Sequence, residues 1–212
     1  MTTPSSKLRD RWLEALLPRV AESGWTMVNA KQAAREAEIT PGEQALAAPN
    51  GVTDLIDHFF EGAIDQMLAT LATRDLTALR THERVAAGVR AWLDALADHK
   101  AAVRKAAGRG LAPWGAGAAV KRVWSIADAI WEAAGDTATD YNRQTKRALL
   151  SAVLPPIILY WLEHDDPDEL DRYIADRLQT AMKLGQTGSK VLKPLLDLAE
   201  QVRRREDPRN PQ

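Results

Sequence analysis

The chain has 212 residues, 45% of them hydrophobic and 27% charged, with a formal net charge of -1. That is enough apolar material for one large domain, or a domain with a small appendage, and the near-zero charge gives no global pull toward nucleic acid. Cysteine is absent, which excludes a disulfide framework and a thiolate zinc site.

The N-terminal run MTTPSSKLRDRWLEALL spaces its apolar residues apart, unlike a secretory signal. Leu8, Trp12, Leu16 and Val20 fall four apart, a core stripe on a first helix. A short second helix is expected over 30–37. Thr40-Pro41-Gly42-Glu43 then reads as a capping box, with Thr at N-cap, Pro at N1 and Glu at N3. Asn50-Gly51 closes that piece. Leu55, Ile56, Phe59, Ala63, Met67 and Leu71 mark a long amphipathic helix, and Val85, Val89, Trp92 and Leu96 mark another over 79–96. A helical stretch around 101–107 and a Gly/Ala/Pro segment over 108–118 lead into a tryptophan-bearing helix. Further helices fit 140–162 and 167–184, the second opened by Asp166-Pro167 with Glu169 at N3. The longest apolar run, 149–162, is too short for a membrane span and carries Pro155-Pro156 in its middle. No run alternates with period two, so the fold class is all-α.

Residues 185–189, Gly-Gln-Thr-Gly-Ser, read as a helix stop and a flexible linker. Beyond them Val191, Leu195, Leu198 and Val202 line one helical face, with Leu192, Leu196 and Ala199 beside them, before Arg203-Arg204-Arg205. The pattern divides the chain into an N-terminal unit (1–50), a helical body (51–187) and a linker, amphipathic helix and tail (188–212).

Three helices ahead of a helical body suggest a tetracycline-repressor-like plan, in which the third helix reads the major groove. The charge opposes that activity. Between Arg35 and Arg74 there is no Lys or Arg, while Glu36, Glu38, Glu43, Asp54, Asp57, Glu61 and Asp65 are acidic. Cationic side chains supply most non-specific DNA affinity, and only Gln44 in this third helix has the chemistry to pair with a base edge. A transcriptional regulator is therefore the alternative reading. Enzymatic signals are equally thin. His58, His82, His99 and His164 form no paired metal motif, and no nucleophile elbow, phosphate loop or dinucleotide fingerprint occurs. Glu163-His164-Asp165-Asp166 reads as a helix-joining loop with Asp166 as a cap. No catalytic residue, metal or cofactor is expected.

Trp124, Asp128 and Trp131 stand at i, i+4 and i+7, one face of one helix. A carboxylate between two indoles needs a partner, and Lys146 or Arg147 from the next helix is a natural one. Gly135-Asp136 stops the helix. The run from Trp124 through Ala127-Asp128, Trp131, Gly135-Asp136, Thr139-Asp140-Tyr141-Asn142 and Thr145-Lys146-Arg147 resembles the signature of the ubiquinone-biosynthesis accessory family, the ninth of the Coq proteins. Gly24-Trp25, Ala33-Ala34, Ala48-Pro49-Asn50-Gly51, Val103-Arg104-Lys105-Ala106, the 172–178 run and Ala181-Met182-Lys183 also resemble that family, so the likeness covers roughly 8–205.

The resemblance implies a tetracycline-repressor-like fold without DNA binding, a homodimer, and an isoprenoid or phospholipid pocket. It also implies a C-terminal membrane-touching helix, and a role in presenting a quinone precursor to the di-iron demethoxyubiquinone hydroxylase. The family's partner patch maps onto Asp140, Tyr141, Arg143, Gln144 and Arg147. Aromatic residues common there are replaced here by Arg143 and Gln144, so another quinone-pathway hydroxylase, or a differently shaped contact, is the alternative. For the lipid, Leu149, Leu150, Val153, Leu154, Ile157, Ile158 and Trp161 outnumber what one core face needs, though each could equally fill a dry core. Pro155-Pro156 would kink their helix and open space beside it. The candidate lipid contacts are Trp124, Trp131, Leu150, Val153, Leu154, Ile157, Ile158, Trp161, Tyr173, Leu178 and Met182. Leu192, Leu195, Leu196, Leu198, Ala199 and Val202 are the candidate membrane contacts; packing in a dimer or back on the body are their alternatives. The expected location is the cytoplasm, peripheral to the inner membrane, for a bacterial-style protein; a mature form without its targeting peptide is the other reading.

Overall fold

The computed structural model describes residues 3–112, 115–136 and 141–187. Among them are nine α-helices and no strand: α1 (Pro4–Ser23), α2 (Met27–Glu36), α3 (Pro41–Ala47), α4 (Val52–Ala72), α5 (Thr81–Asp94), α6 (Lys100–Gly110), α7 (Ala116–Ala133), α8 (Tyr141–Glu163) and α9 (Pro167–Thr187). A 3-10 turn at Ala97–His99 precedes α6. The all-α expectation holds. The chain divides into two compact units, Met1–Asp65 with Leu96–Ala118, and Gln66–Ala95 with Ala119–Gln212.

In the first unit, the four-apart stripe of α1 does what its spacing implies: Trp12, Leu16 and Val20 are buried and Leu8 is half-buried. The Trp12 indole also donates to the Ala30 carbonyl of α2 at 2.8 Å. That bond lets a large ring enter the core without an orphaned N–H. The α2 helix begins three residues before the expected Ala30, because Thr26 caps it by accepting from the Asn29 N–H at 3.1 Å. At α3 the capping box forms as read: the Thr40 hydroxyl accepts from the Glu43 N–H, and the Glu43 carboxylate accepts from the Thr40 N–H at 2.8 Å. Trp25 packs against Phe59 and donates to the Ala102 carbonyl of α6 at 2.9 Å. Arg19 pairs with Glu36 across α1 and α2.

A histidine clamp ties α1 to α4. His58 lies with Nε2 at 2.6 Å from Asp10 and Nδ1 at 3.6 Å from Glu61, and its side chain is mostly buried. Hydrogen bonding to Glu61, opposed by burial and reinforced by Asp10, raises the imidazole above its ordinary value.

In the second unit, Arg90 of α5 joins Asp94 at 2.8 Å, Asp171 of α9 at 2.8 Å and the Pro167 carbonyl at 3.2 Å. Gly88 of α5 sits under Ile130 of α7 so closely that a Cβ there would lie 3.0 Å from the Ile130 methyl. Helix α9 starts as read, with the Asp166 carboxylate accepting from the N–H groups of Asp168 and Glu169 at 2.8 and 3.1 Å. It does not stop at Gly185 but continues to Thr187. A lone glycine weakens a helix by only about 1 kcal/mol, so it does not by itself end one. Helix α8 runs through Pro155 and Pro156 as one element, although neither proline has an N–H for the carbonyl one turn back. Residues 188–212 lie outside the described residues.

A raised histidine value stabilises the fold fully below the unfolded value of about 6.5 and loses that contribution as pH climbs through the folded value. The stability advantage of wild type over His58→Gln should therefore be larger at about pH 5.5 than at about pH 9. Urea titrations at the two pH values check this; an advantage that grows with pH would refute the clamp.

Candidate functional site

The residues of the tryptophan signature come together where α7 ends and α8 begins. Gly135 has φ +82°, a left-handed conformation that side chains with a Cβ resist. Around it the Asp136 N–H donates to the Trp131 carbonyl at 3.0 Å and the Gly135 N–H to the Glu132 carbonyl at 3.0 Å. These are the two bonds of a Schellman motif, which ends the helix and satisfies its last carbonyls. The motif also turns the Asp136 side chain inward, where it is only 4% exposed.

Two buried groups then meet. Arg147 of α8, its side chain 2% exposed, donates from Nη1 to Asp136 at 2.9 Å and from Nε to Asp128 of α7. Lys146 reaches the other oxygen of Asp136 at 2.6 Å, with its ammonium 5.3 Å from the Trp131 ring centre. The Trp131 indole donates to the Lys146 carbonyl at 3.1 Å. Arg143 completes the cluster, at 3.0 Å from Asp128 and 3.2 Å from Glu132. Three carboxylates at four-residue spacing thus face three cations. The sequence left the partner of Asp128 open between Lys146 and Arg147; Arg147 takes it, joined by Arg143, and Lys146 goes to Asp136.

Burial alone would raise the Asp128 carboxyl, but hydrogen bonds from Arg147 and Arg143 outweigh it and hold the group below its ordinary value. Its contribution to stability is therefore present at neutral pH and is lost as pH falls through that lowered value. Pairing with Asp128 raises the Arg143 guanidinium in turn.

The site residues expected from sequence separate by burial. Leu150, Leu154, Ile157, Trp161 and Leu178 are buried in the core. Trp124, Trp131, Val153, Ile158 and Tyr173 are half-buried, and Met182 is exposed. Leu159, which the sequence reading did not single out, is more exposed still. Tyr173 has both ring faces engaged, one stacked on Tyr160 at 4.0 Å and the other under Arg177 at 5.1 Å. Tyr160 is itself stacked on His164 at 3.9 Å, in the helix-joining loop expected there.

Of the expected partner surface, Arg143 and Gln144 are half-buried. Arg147 differs from the other two: its side chain is buried, spanning two carboxylates inside the corner. Asp140 and the side chain of Tyr141 lie outside the described residues, as do Leu192, Leu195, Leu196, Leu198, Ala199 and Val202. Asp136 was read only as part of a helix stop; the spacing of Asp128, Glu132 and Asp136 against Arg143, Lys146 and Arg147 was the available signal for its pairing. Among the described residues no group of three or more His, Asp or Glu could hold a metal ion, and no helix is long and apolar enough to cross a membrane.

The fold and site define an all-α protein in which a charged lock, rather than a catalytic constellation, fixes a corner between two helices that carry an apolar face. Residues 116–185, which take in α7, α8 and most of α9, match the COQ9 family model. The chain is 25% identical over 194 residues to the human protein named ubiquinone biosynthesis protein COQ9, mitochondrial, covering 87% of this chain and 61% of that one. It is 25% identical over 209 residues to the Xenopus tropicalis protein of the same name, covering 91% and 66%. A 69-residue stretch is 35% identical to the bovine protein of that name, covering 32% and 22%. Over most of its length the chain is thus similar to proteins named ubiquinone biosynthesis protein COQ9. It spans a little under two thirds of the length of the human and Xenopus tropicalis relatives.

Removing Arg147 leaves two carboxylates without their shared cation, and breaking a buried pair costs about 3–5 kcal/mol. Arg147→Ala should lower the unfolding free energy by that order, and Arg147→Lys should restore little, since one ammonium cannot span both carboxylates. Urea denaturation followed by circular dichroism measures both. A loss below about 1 kcal/mol, as for an exposed pair, would show that the corner is not locked in this way.

Proposed function

We propose that this chain is a non-catalytic accessory protein of ubiquinone biosynthesis that binds an isoprenoid quinone precursor or a phospholipid and presents it from the membrane to a hydroxylase. The observation that carries the reading is the match of the α7–α9 region to the COQ9 family, with relatives named as ubiquinone biosynthesis proteins. The side chains support it. Trp124, Trp131, Val153 and Ile158 are half-buried, and Leu159 and Met182 exposed, in a unit that already has a buried core. A polyprenyl tail gains about 0.8 kcal/mol for each methylene removed from water, so a long apolar surface holds it without catalytic groups.

In this reading the N-terminal helices are a tetracycline-repressor-like unit that no longer binds DNA. The side chains of α3 agree: Glu43 is engaged in the capping box, and the Gln44 amide donates to the Ile39 carbonyl at 2.9 Å instead of standing free to meet a base. The protein works as a homodimer. The apolar face of 192–202 rests on an anionic inner membrane, and the start of α8 meets demethoxyubiquinone hydroxylase or another hydroxylase of the quinone pathway. The relatives are mitochondrial by name; a peripheral place on the corresponding inner membrane is proposed here.

Native mass spectrometry of the purified protein should show adducts of isoprenoid or phospholipid mass that organic extraction removes. Ile158→Asp should abolish the adduct with the helical circular dichroism spectrum intact. No adduct in wild type, together with no vesicle binding, would overturn the carrier reading. Tight, salt-sensitive binding to duplex DNA in fluorescence anisotropy would replace it with a transcriptional regulator.

A further inference from the structure

Building on the lipid-carrier reading above, we propose that Ser151 of α8 is the polar contact for the lipid, a hydroxyl that meets a neutral oxygen at the head of an isoprenoid quinone precursor. The Ser151 Oγ is shut off from solvent and has no hydrogen-bond partner among the described residues. A serine inside a helix commonly bonds its hydroxyl to the carbonyl one turn back; that bond is not made here. A buried hydroxyl without a partner costs stability. The position is therefore unfavourable in the protein alone and becomes favourable when a ligand brings an oxygen to it.

The same residue carries a second group that the helix does not use. Pro155, one turn further along α8, has no N–H to give the Ser151 carbonyl, and a proline ring crowds the carbonyl four residues before it. Ser151 and Ile158 then stand two turns apart on one edge of the helix, and both are half-buried. Buried Leu150, Leu154 and Ile157 lie to one side of that edge, exposed Ala152 and Leu159 to the other. A tail laid from Ser151 past Pro155 and Ile158 meets hydrocarbon, with the hydroxyl at its head.

Charge selects the head group. From Ala148 to Leu162 there is no charged residue, and Arg147, one turn before Ser151, is held by Asp128 and Asp136. A phosphate beside Ser151 would gain no cation from this stretch of helix, and an anion taken out of water needs one. A neutral ring oxygen does not. A quinone carbonyl accepts from the serine O–H, and a phenolic hydroxyl donates to the serine oxygen, so one side chain serves both forms of the ring.

The test uses the full chain freed of lipid on a hydrophobic resin, with three probes. Decylubiquinone carries neutral ring oxygens and is followed by quenching of tryptophan fluorescence; farnesene, which has no oxygen, and dihexanoylphosphatidylcholine, which has a charged head, are measured by competition against it. Ser151→Ala should weaken decylubiquinone binding about two- to tenfold, the loss of one hydrogen bond, and leave farnesene binding unchanged. In urea, the lipid-free Ser151→Ala protein should be at least as stable as wild type, because no bond is lost. Equal decylubiquinone affinity in wild type and Ser151→Ala would overturn the proposal and leave the carrier reading standing. So would an equal loss for farnesene, which would mark a packing change, or a lower urea midpoint, which would show the hydroxyl satisfied within the protein or by a bound water. Weakened phosphatidylcholine binding with decylubiquinone unaffected would reassign the serine to a phospholipid and refute the neutral head. If wild type binds none of the three probes, the carrier reading falls and this contact with it.

Discussion

The buried guanidinium of Arg147 organises the part of the molecule, residues 116–185, that matches the COQ9 family model. It stands at the start of α8, where the helix dipole presents positive charge, and Arg143 and Lys146 stand there with it. Glu132, near the end of α7, meets the negative end of that helix. Each helix taken alone carries the wrong charge at its terminus. The two become favourable only together, when the acidic end of one lies against the basic start of the other. That mutual dependence fixes the corner, and a desolvated arginine between two carboxylates admits few alternative arrangements.

Geometry at Gly135 makes the pairing possible. Its left-handed backbone folds the chain back sharply enough for Asp136 to face the same guanidinium as Asp128, eight residues earlier. Trp131 closes the arrangement from the side, bonded through its indole to the Lys146 carbonyl and lying under the Lys146 ammonium. The parts of the signature that the structure describes thus act together to fix one corner.

Much of this was legible from spacing alone. Local signals that close within one helix or turn were read correctly: the Thr40 capping box, the Asp166 cap, the buried stripe of α1, and the stop at Gly135. Signals that depend on a second element were not. Thr26 starts α2 early because its hydroxyl reaches Asn29, an offset that hydrophobic periodicity does not encode. Asp128 had two candidate cations because the register of α8 against α7 is set by the backbone at Gly135, which sequence spacing does not measure. Arg147 was read both as a possible partner of Asp128 and as part of a partner surface, where arginine usually lies; the two carboxylates meeting at one point make its burial tolerable. Gly185 reads as a terminator in isolation, yet α9 continues past it.

The hydrogen bonds at α3 couple its surface charge to its folding. Glu43 holds the first turn together through Thr40, and Gln44 ties the helix back to the Ile39 carbonyl. Replacing either with lysine would remove a bond that keeps a seven-residue helix folded, so this helix cannot turn basic at these positions without loosening.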